Sequence, residues 1–343
     1  MKTCKSLQII TLASICFTLG FGSPAESCSR FMYTTSENNV VIGRSMDWME
    51  DIKTDLWAFP AGMARIGSDQ PKAAKWTSKY GSVIASGYNL GSTDGMNTQG
   101  LDVNLLYLAS SDYGTPSPGQ SSLSVLNWAQ YVLDNYASVD EAVREFGKNQ
   151  FHMEAKLLPN GTYPGVHLSL SDSTGDNAIF EYVGGQLVVY HNKKYTVMTN
   201  EPTFDKQLVL NDYWQGLKGV FLPGTTEPSD RFVRASYYLS QAPITANEQQ
   251  SIATAFSIIR NVSQPIMKDN SERPNQAPTI WRSVADVKHQ IYYFEASDRP
   301  NVFWVNLTKL DLNSGAPAKK LPLSNGEIYA GEVSSHFVPS KPF

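Results

Sequence analysis

The stretch SPAESCSRFMYTTSENNVVIGRSMDWMED, residues 23–51, carries the reading of this chain. Cys28 stands one residue past Ala25-Glu26-Ser27, whose small first and third residues fit the two positions read by a signal peptidase. Upstream lie Lys2 and Lys5, then a mostly apolar run from Leu7 to Phe21. That run is short of the ~20 residues needed to cross a bilayer. The pattern predicts export with residues 1–27 removed, leaving 28–343 as a single domain whose first residue is Cys28.

Cleavage alters the cysteine arithmetic. Cys4 and Cys16 would leave with the signal, and Cys28 alone cannot form an intramolecular disulfide in a compartment that favours them. A single thiol there is a lipid-attachment point, a buried inert residue or a nucleophile. Lipid attachment normally wants an aliphatic residue three before the cysteine, where this chain has Ala25. An inert cysteine at a terminus is unfavoured because termini fray unless held. The nucleophile is the leading reading.

Outward from Cys28, Ser29–Thr35 and Val40–Asp47 flank the polar turn Ser36-Glu37-Asn38-Asn39, a hairpin signal. With Glu37-Asn38 as a two-residue loop, Cys28 faces Asp47, and Arg44 returns beside it. A guanidinium near a thiol favours the thiolate. A freed α-amino group of pKa near ~7.8 would be a base on the same residue, with Asp47 to hold it. Arg44 and Asp47, three apart, point to opposite faces of an ideal strand, so a bulge near Ser45 is expected.

Beyond the hairpin, Leu101–Leu108 reads as a buried strand. Val166–Ser171, Ala178–Tyr182, Gln186–Tyr190 and Tyr195–Asn200 read as a meander. Thr279–Ala285, Gln290–Ala296 and Val302–Asn306 are further strands. Helices fit Leu123–Tyr136, Ser138–Phe146 with a Ser138…Glu141 capping box, and Asn247–Val262. Ser110–Ser121 and Lys268–Pro278 read as surface loops. Strands in runs and helices in pairs predict an α+β layered sandwich of antiparallel sheets. The formal net charge of −4 gives no footprint for nucleic acid or an anionic membrane. His152, His167, His191, His289 and His336 have no metal-ligand spacing, so neither metal nor cofactor is expected.

Four segments together resemble the choloylglycine hydrolase family, which includes conjugated bile salt hydrolases and penicillin V acylases. They are Cys28 with Arg44 and Asp47, DGMNTQGLDVNLLYL (Asp94–Leu108), TNEPTFDKQL (Thr199–Leu208) and SDRFVRA (Ser229–Ala235). The resemblance implies an N-terminal nucleophile hydrolase with an αββα sandwich. It places Cys28 as nucleophile, Tyr107 and Asn200 at the oxyanion hole, and Arg44, Asp47 and Arg231 in the active site. A shorter interval between Asn200 and Arg231 departs from members in which that segment supports a tetramer, while a homo-oligomer remains the expectation. The export signal points to the Gram-negative, periplasmic branch.

Met46, Trp48 and Met49 put apolar surface beside the nucleophile, with Met46 and Trp48 as substrate-binding candidates. Tyr107 stands where penicillin V acylases carry Tyr and many bile salt hydrolases carry Asn. The expected reaction is therefore hydrolysis of a linear amide with an apolar or aryloxyacetyl acyl group. Phenoxymethylpenicillin and long-chain N-acyl homoserine lactones are the expected substrates, and conjugated bile salts the alternative. A lipid-anchored or inactive periplasmic binding protein is the reading from another class.

Overall fold

In the computed structural model, which describes residues 27–267 and 277–343, the quoted stretch forms strand β1 (Ser27–Thr34) and strand β2 (Val40–Asp47). The expected export segment up to residue 26, with Cys4 and Cys16, and residues 268–276 of the expected loop lie outside the described residues. The hairpin register differs by one from the sequence expectation: Cys28 pairs with Met46, and Asp47 pairs with Ser27. The cause is the turn. Asn38 takes a left-handed φ of 54°, and Thr35 N–H donates to Asn39 O at 2.9 Å, which closes a longer loop than a two-residue turn. Phe31 lies across Gly43 in this register; a Cβ there would stand 2.5 Å from Phe31 Cζ.

The chain continues through β3 (Leu56–Phe59), β4 (Ala64–Ile66), β5 (Lys75–Thr77), β6 (Ser82–Gly87), β7 (Gly91–Asn97) and β8 (Asp102–Tyr107). Strand β9 (Ser121–Ser124) then leads into helices α1 (Val125–Asn135) and α2 (Val139–Phe146). Strands β10 (Phe151–Glu154), β11 (Val166–Ser171), β12 (Asn177–Val183), β13 (Gln186–His191) and β14 (Val197–Met198) follow. Helices α3 (Phe204–Gln215), α4 (Pro228–Gln241) and α5 (Glu248–Asn261) come next. The chain closes with β15 (Thr279–Asp286), β16 (Ile291–Ala296), β17 (Val302–Asn306), β18 (Lys319–Leu321), β19 (Gly331–Glu332) and β20 (Val338–Pro339).

Among the described residues two large sheets form. One runs β14-β1-β2-β15-β16-β17-β19, the other β13-β12-β11-β8-β7-β6-β3-β18-β20, and both are antiparallel apart from the β17–β19 pair. Helices α4 and α5 pack on the first sheet, α1 and α2 on the second, so the layers run αββα as expected. The expected four-strand meander divides. Its first three strands pair consecutively, but β14 crosses to the other sheet and pairs with β1 through Arg30–Met198 and Phe31–Val197. Strand β1 has an open edge whose backbone groups need partners, and β14 supplies them. That crossing carries Asn200 to Cys28.

Helix α1 starts two residues later than its apolar spacing suggests, because Ser124 caps it by accepting from Leu126 N–H. Helix α2 starts as its capping box predicts, with Ser138 Oγ accepting from Glu141 N–H at 3.2 Å. Strands β6 and β7 have no sequence signal of apolar alternation. Their inward positions include Asp94, and β7 contains Gly91 and Gly95.

The core outside the second sheet centres on Trp128, which is fully buried, stacks on Phe146 at 5.7 Å and meets Tyr182 edge-on at 5.6 Å. Its indole Nε1 has no hydrogen-bond partner. Trp128→Ala is expected to cost about 3–5 kcal/mol of unfolding free energy in urea titration. Trp128→Phe should cost clearly less, since the unpartnered N–H leaves with the indole.

Candidate active site

Strand alternation gives the two ends of Cys28 different surroundings. The side chain shares a face with Met46 and Arg44, turned toward the second sheet, while Asp47 lies on the opposite face toward the helices. The thiol contacts Met46 Sδ at 3.7 Å. The backbone N–H of Cys28 donates to Asn200 Oδ1 at 2.6 Å. No bulge at Ser45 is required: β2 pairs continuously with β1, and the irregularity sits on β15 between Thr279 and Trp281. The separation that seemed to need a bulge instead lets one residue present its sulfur to Arg44 and its nitrogen to Asn200.

Arg231, at the start of α4, reaches the same point from the helix layer. Its Nη1 donates to Cys28 O and to Ser29 Oγ, both at 2.6 Å, its Nη2 donates to Asn200 Oδ1 at 2.8 Å, and its Nε donates to Thr226 O at 2.9 Å. Asn200 turns its Nδ2 to Tyr107 O at 2.7 Å, so the two residues expected at an oxyanion hole meet. One amide hydrogen of Asn200 is committed to that contact; the other remains for a ligand in any oxyanion role.

Asp47 is fully buried. Thr279, a residue with no sequence signal, donates its hydroxyl to Asp47 Oδ1 at 2.6 Å, and Arg231 Nη1 lies 3.9 Å from Oδ2. Oδ2 has no hydrogen-bond partner. Burial pushes the Asp47 carboxyl up to about 6 against the opposing pull of Arg231 and Thr279.

Arg44 lies between the sheets. Its Nη2 donates to Leu105 O at 2.7 Å, its Nε is 3.9 Å from Asp94 Oδ1, and its guanidinium covers Trp281 at 4.7 Å. Its neighbours carry no signal along the chain. Arg30, opposite Arg44 in register, donates to Asn104 Oδ1 at 3.1 Å and to Asn177 Oδ1 at 2.8 Å. Asn104 Nδ2 donates in turn to Asp94 at 2.6 Å and Asp102 at 2.9 Å. Desolvation draws the Arg30 guanidinium down to about 10 and pushes Asp102 well above the usual carboxylate range.

The thiol departs from expectation. Burial pushes Cys28 up from its ordinary value; Arg44 opposes this most, the Asp47 carboxylate adds to it, and the Asp47 backbone N–H and then Arg231 oppose it more weakly without overcoming it. The surroundings disfavour a standing thiolate at this sulfur.

Beside the thiol opens a small, largely apolar cleft, walled by Met46, Trp48, Ile52, Leu105, Tyr107 and Leu158 among others. Trp48 meets Tyr107 edge-on at 6.0 Å and donates its indole N–H to Tyr88 OH at 3.0 Å. Met49, expected alongside, turns to solvent. The structure therefore gathers Cys28, Arg44, Asp47, Tyr107, Asn200 and Arg231 around one point, with Met46 and Trp48 on the cavity wall.

Residues 28–319 match the family model of linear amide C–N hydrolases, choloylglycine hydrolase family. The chain is 44% identical to a penicillin V acylase of Pectobacterium atrosepticum, over all of this chain and 97% of that one. It is 26% identical to a bile salt hydrolase/transferase of Clostridium perfringens, over 83% of this chain and 94% of that one. The solved penicillin V acylase from Agrobacterium tumefaciens superposes with a TM-score of 0.86 at 48% identity, covering 92% of this chain and 98% of that one.

The charge balance at the thiol has a direct readout. Arg44→Ala removes the main group that opposes burial, so the thiol is driven further up. The rate of Cys28 alkylation by iodoacetamide should fall at neutral pH, and its pH profile should move to higher pH. An unchanged profile would show that Arg44 does not act on the thiol.

Proposed function

The chain belongs to the choloylglycine hydrolase family of linear amide C–N hydrolases, and from that premise we propose that Cys28, as the first residue of the mature chain, is its nucleophile. The observation that carries this reading is the surroundings of one residue. The sulfur of Cys28 borders an apolar cavity, and its backbone nitrogen meets Asn200 where Asp47 Oδ2, beside Ser27 in register, lacks a partner. An amide nitrogen is not a base. Breaking the Ser27–Cys28 bond would turn it into an amine, with hydrogens to give to both acceptors. This supports removal of residues 1–27 on export and action in the periplasm.

In the proposed reaction the α-amine accepts the thiol proton as sulfur attacks the substrate carbonyl carbon, so a thiol kept neutral by burial can still react. The carbonyl π pair moves to oxygen, where Asn200 Nδ2–H and the Tyr107 backbone N–H are the proposed donors. Collapse expels the amine nitrogen, which takes the proton from the α-ammonium and leaves a thioester on Cys28. Water then attacks the thioester carbon, losing a proton to the same amine, and the C–S bond breaks to return the thiol. Asp47 holds the ammonium between these steps, and Arg231 fixes the Cys28 carbonyl and the orientation of the Asn200 amide.

The apolar wall and the Trp48–Tyr107 contact favour a hydrophobic or aryloxyacetyl acyl group. The side-chain amide of phenoxymethylpenicillin fits, with the β-lactam ring left intact. Long-chain N-acyl homoserine lactones present the same apolar-acyl amide and are the proposed natural substrates.

Two experiments test this reading. A protein carrying Met-Gly directly before Cys28, shown intact by mass spectrometry, should fold and be nearly inactive, while one starting at Cys28 is active. Full activity in the extended form would remove the N-terminal mechanism. Secondly, kcat/KM should be higher for phenoxymethylpenicillin and a long-chain N-acyl homoserine lactone than for taurocholate; the reverse order would assign the protein to bile salts.

A further inference from the structure

His167 is 1% exposed and Glu181 is fully buried, yet neither lines the cavity or touches Cys28. The Leu168–Phe180 pairing of β11 with β12 sets them side by side on the face turned toward the other sheet. His167 Nδ1 lies 2.9 Å from Glu181 Oε1, and Nε2 lies 2.8 Å from Thr199 O. A carbonyl oxygen only accepts, so Nε2 carries a hydrogen. At Nδ1 the choice is an imidazolium facing a carboxylate or a neutral imidazole facing a carboxylic acid. Both hold the same number of protons, and in both a proton bridges the pair.

Glu181 has a second task. Its two carboxyl oxygens accept from Phe204 N–H, each at 3.1 Å. Phe204 is the first residue of α3, whose N-cap Thr203 makes no side-chain capping bond. Glu181 thus caps α3 from a distant strand. The pair therefore holds both ends of one turn, Thr199 at the entry through His167 and Phe204 at the exit through Glu181. Between them sits Asn200, whose own carbonyl accepts from Gln207 Nε2 of the capped helix.

We propose that His167 and Glu181 are positioning residues for amide hydrolysis, a buried imidazole–carboxylate clamp that fixes the Asn200 amide against Cys28 and Tyr107. The proposal rests on the reading of Asn200 as an oxyanion donor. It predicts a loss in the chemical step without a loss in binding, because the cavity wall is untouched. It also predicts an unchanged thiol, because Arg44 and Asp47 are held by other elements.

The test uses the mature enzyme with phenoxymethylpenicillin. His167→Leu and Glu181→Leu should each lower kcat by about 10-fold or more, the scale of a small misplacement of a catalytic group, with KM within about twofold. Cys28 alkylation by iodoacetamide should stay at the wild-type rate. Glu181→Gln can donate to Nδ1 and accept from Phe204 N–H, so it should recover most of the rate. An undiminished kcat in His167→Leu, or a parallel fall in alkylation rate, overturns the clamp. No turnover of phenoxymethylpenicillin by the wild type would instead overturn the proposed acyl-group class, and the same variants are then compared on taurocholate. Should the leucine variants not fold, the nitrogen-15 spectrum of wild-type histidine decides: His167 Nε2 must be protonated, and an unprotonated Nε2 overturns the proposal.

Discussion

A buried guanidinium must spend its hydrogens on fixed acceptors, and Arg231 meets that constraint by joining the layers of the site. Its bonds reach the backbone of β1, the side chain of Ser29, the amide of Asn200 and the loop before α4. Leaving such a charge buried without partners costs several kcal/mol. The helix layer, the hairpin and the turn after β14 are therefore held in one arrangement. That arrangement orients Asn200, since Oδ1 takes Arg231 and Cys28, which turns Nδ2 to Tyr107.

The interior between the sheets is unusual in its polarity. Arg30, Arg44, Asp94 and Asp102 are all essentially excluded from solvent there, joined through Asn104 and through Ser283 Oγ, which donates to Asp94 at 2.6 Å. Arg44 is left with Nε and Nη1 lacking hydrogen bonds, so its charge is only partly answered by Asp94. That residual charge acts on the nearby thiol, while the same dry environment raises the cost of a thiolate. The balance is weighted against the thiolate.

Much of this was legible in the sequence where a local signal existed. The hairpin, the capped helix α2 and the α+β layered class follow from turn residues, a capping box and the block pattern of elements, while the αββα order follows only from the motif resemblance. Cys28, Arg44 and Asp47 follow from the cysteine arithmetic and the hairpin, Tyr107, Asn200 and Arg231 from motif resemblance alone, and the fold brings all six together. The single-residue error in hairpin register arose because loop length depended on Asn38 adopting positive φ, which Asn permits but does not dictate. Strands β6 and β7 carry no apolar alternation: Val83, Ile84 and Ala85 form one continuous apolar run, and in β7 Met96 stands alone among Gly, Ser, Thr, Asp and Asn. Thr279 reaches Asp47 only through the pairing of strands far apart in the chain, and although His167 and Glu181 meet across consecutive strands, their partners Thr199 and Phe204 lie beyond the meander, where no local pattern announces them.

The contact of Phe31 with Gly43 limits how this chain can change. The aromatic ring occupies the space a side chain at position 43 would need. Any substitution there must displace a fully buried ring or shift β2 along β1, and a shift by one residue would turn Arg44 away from the sulfur. The glycine does not line the cleft beside the sulfur. Across divergent descendants of this chain it should nevertheless vary as little as the nucleophile itself, because it sets the alignment from which the nucleophile's surroundings follow.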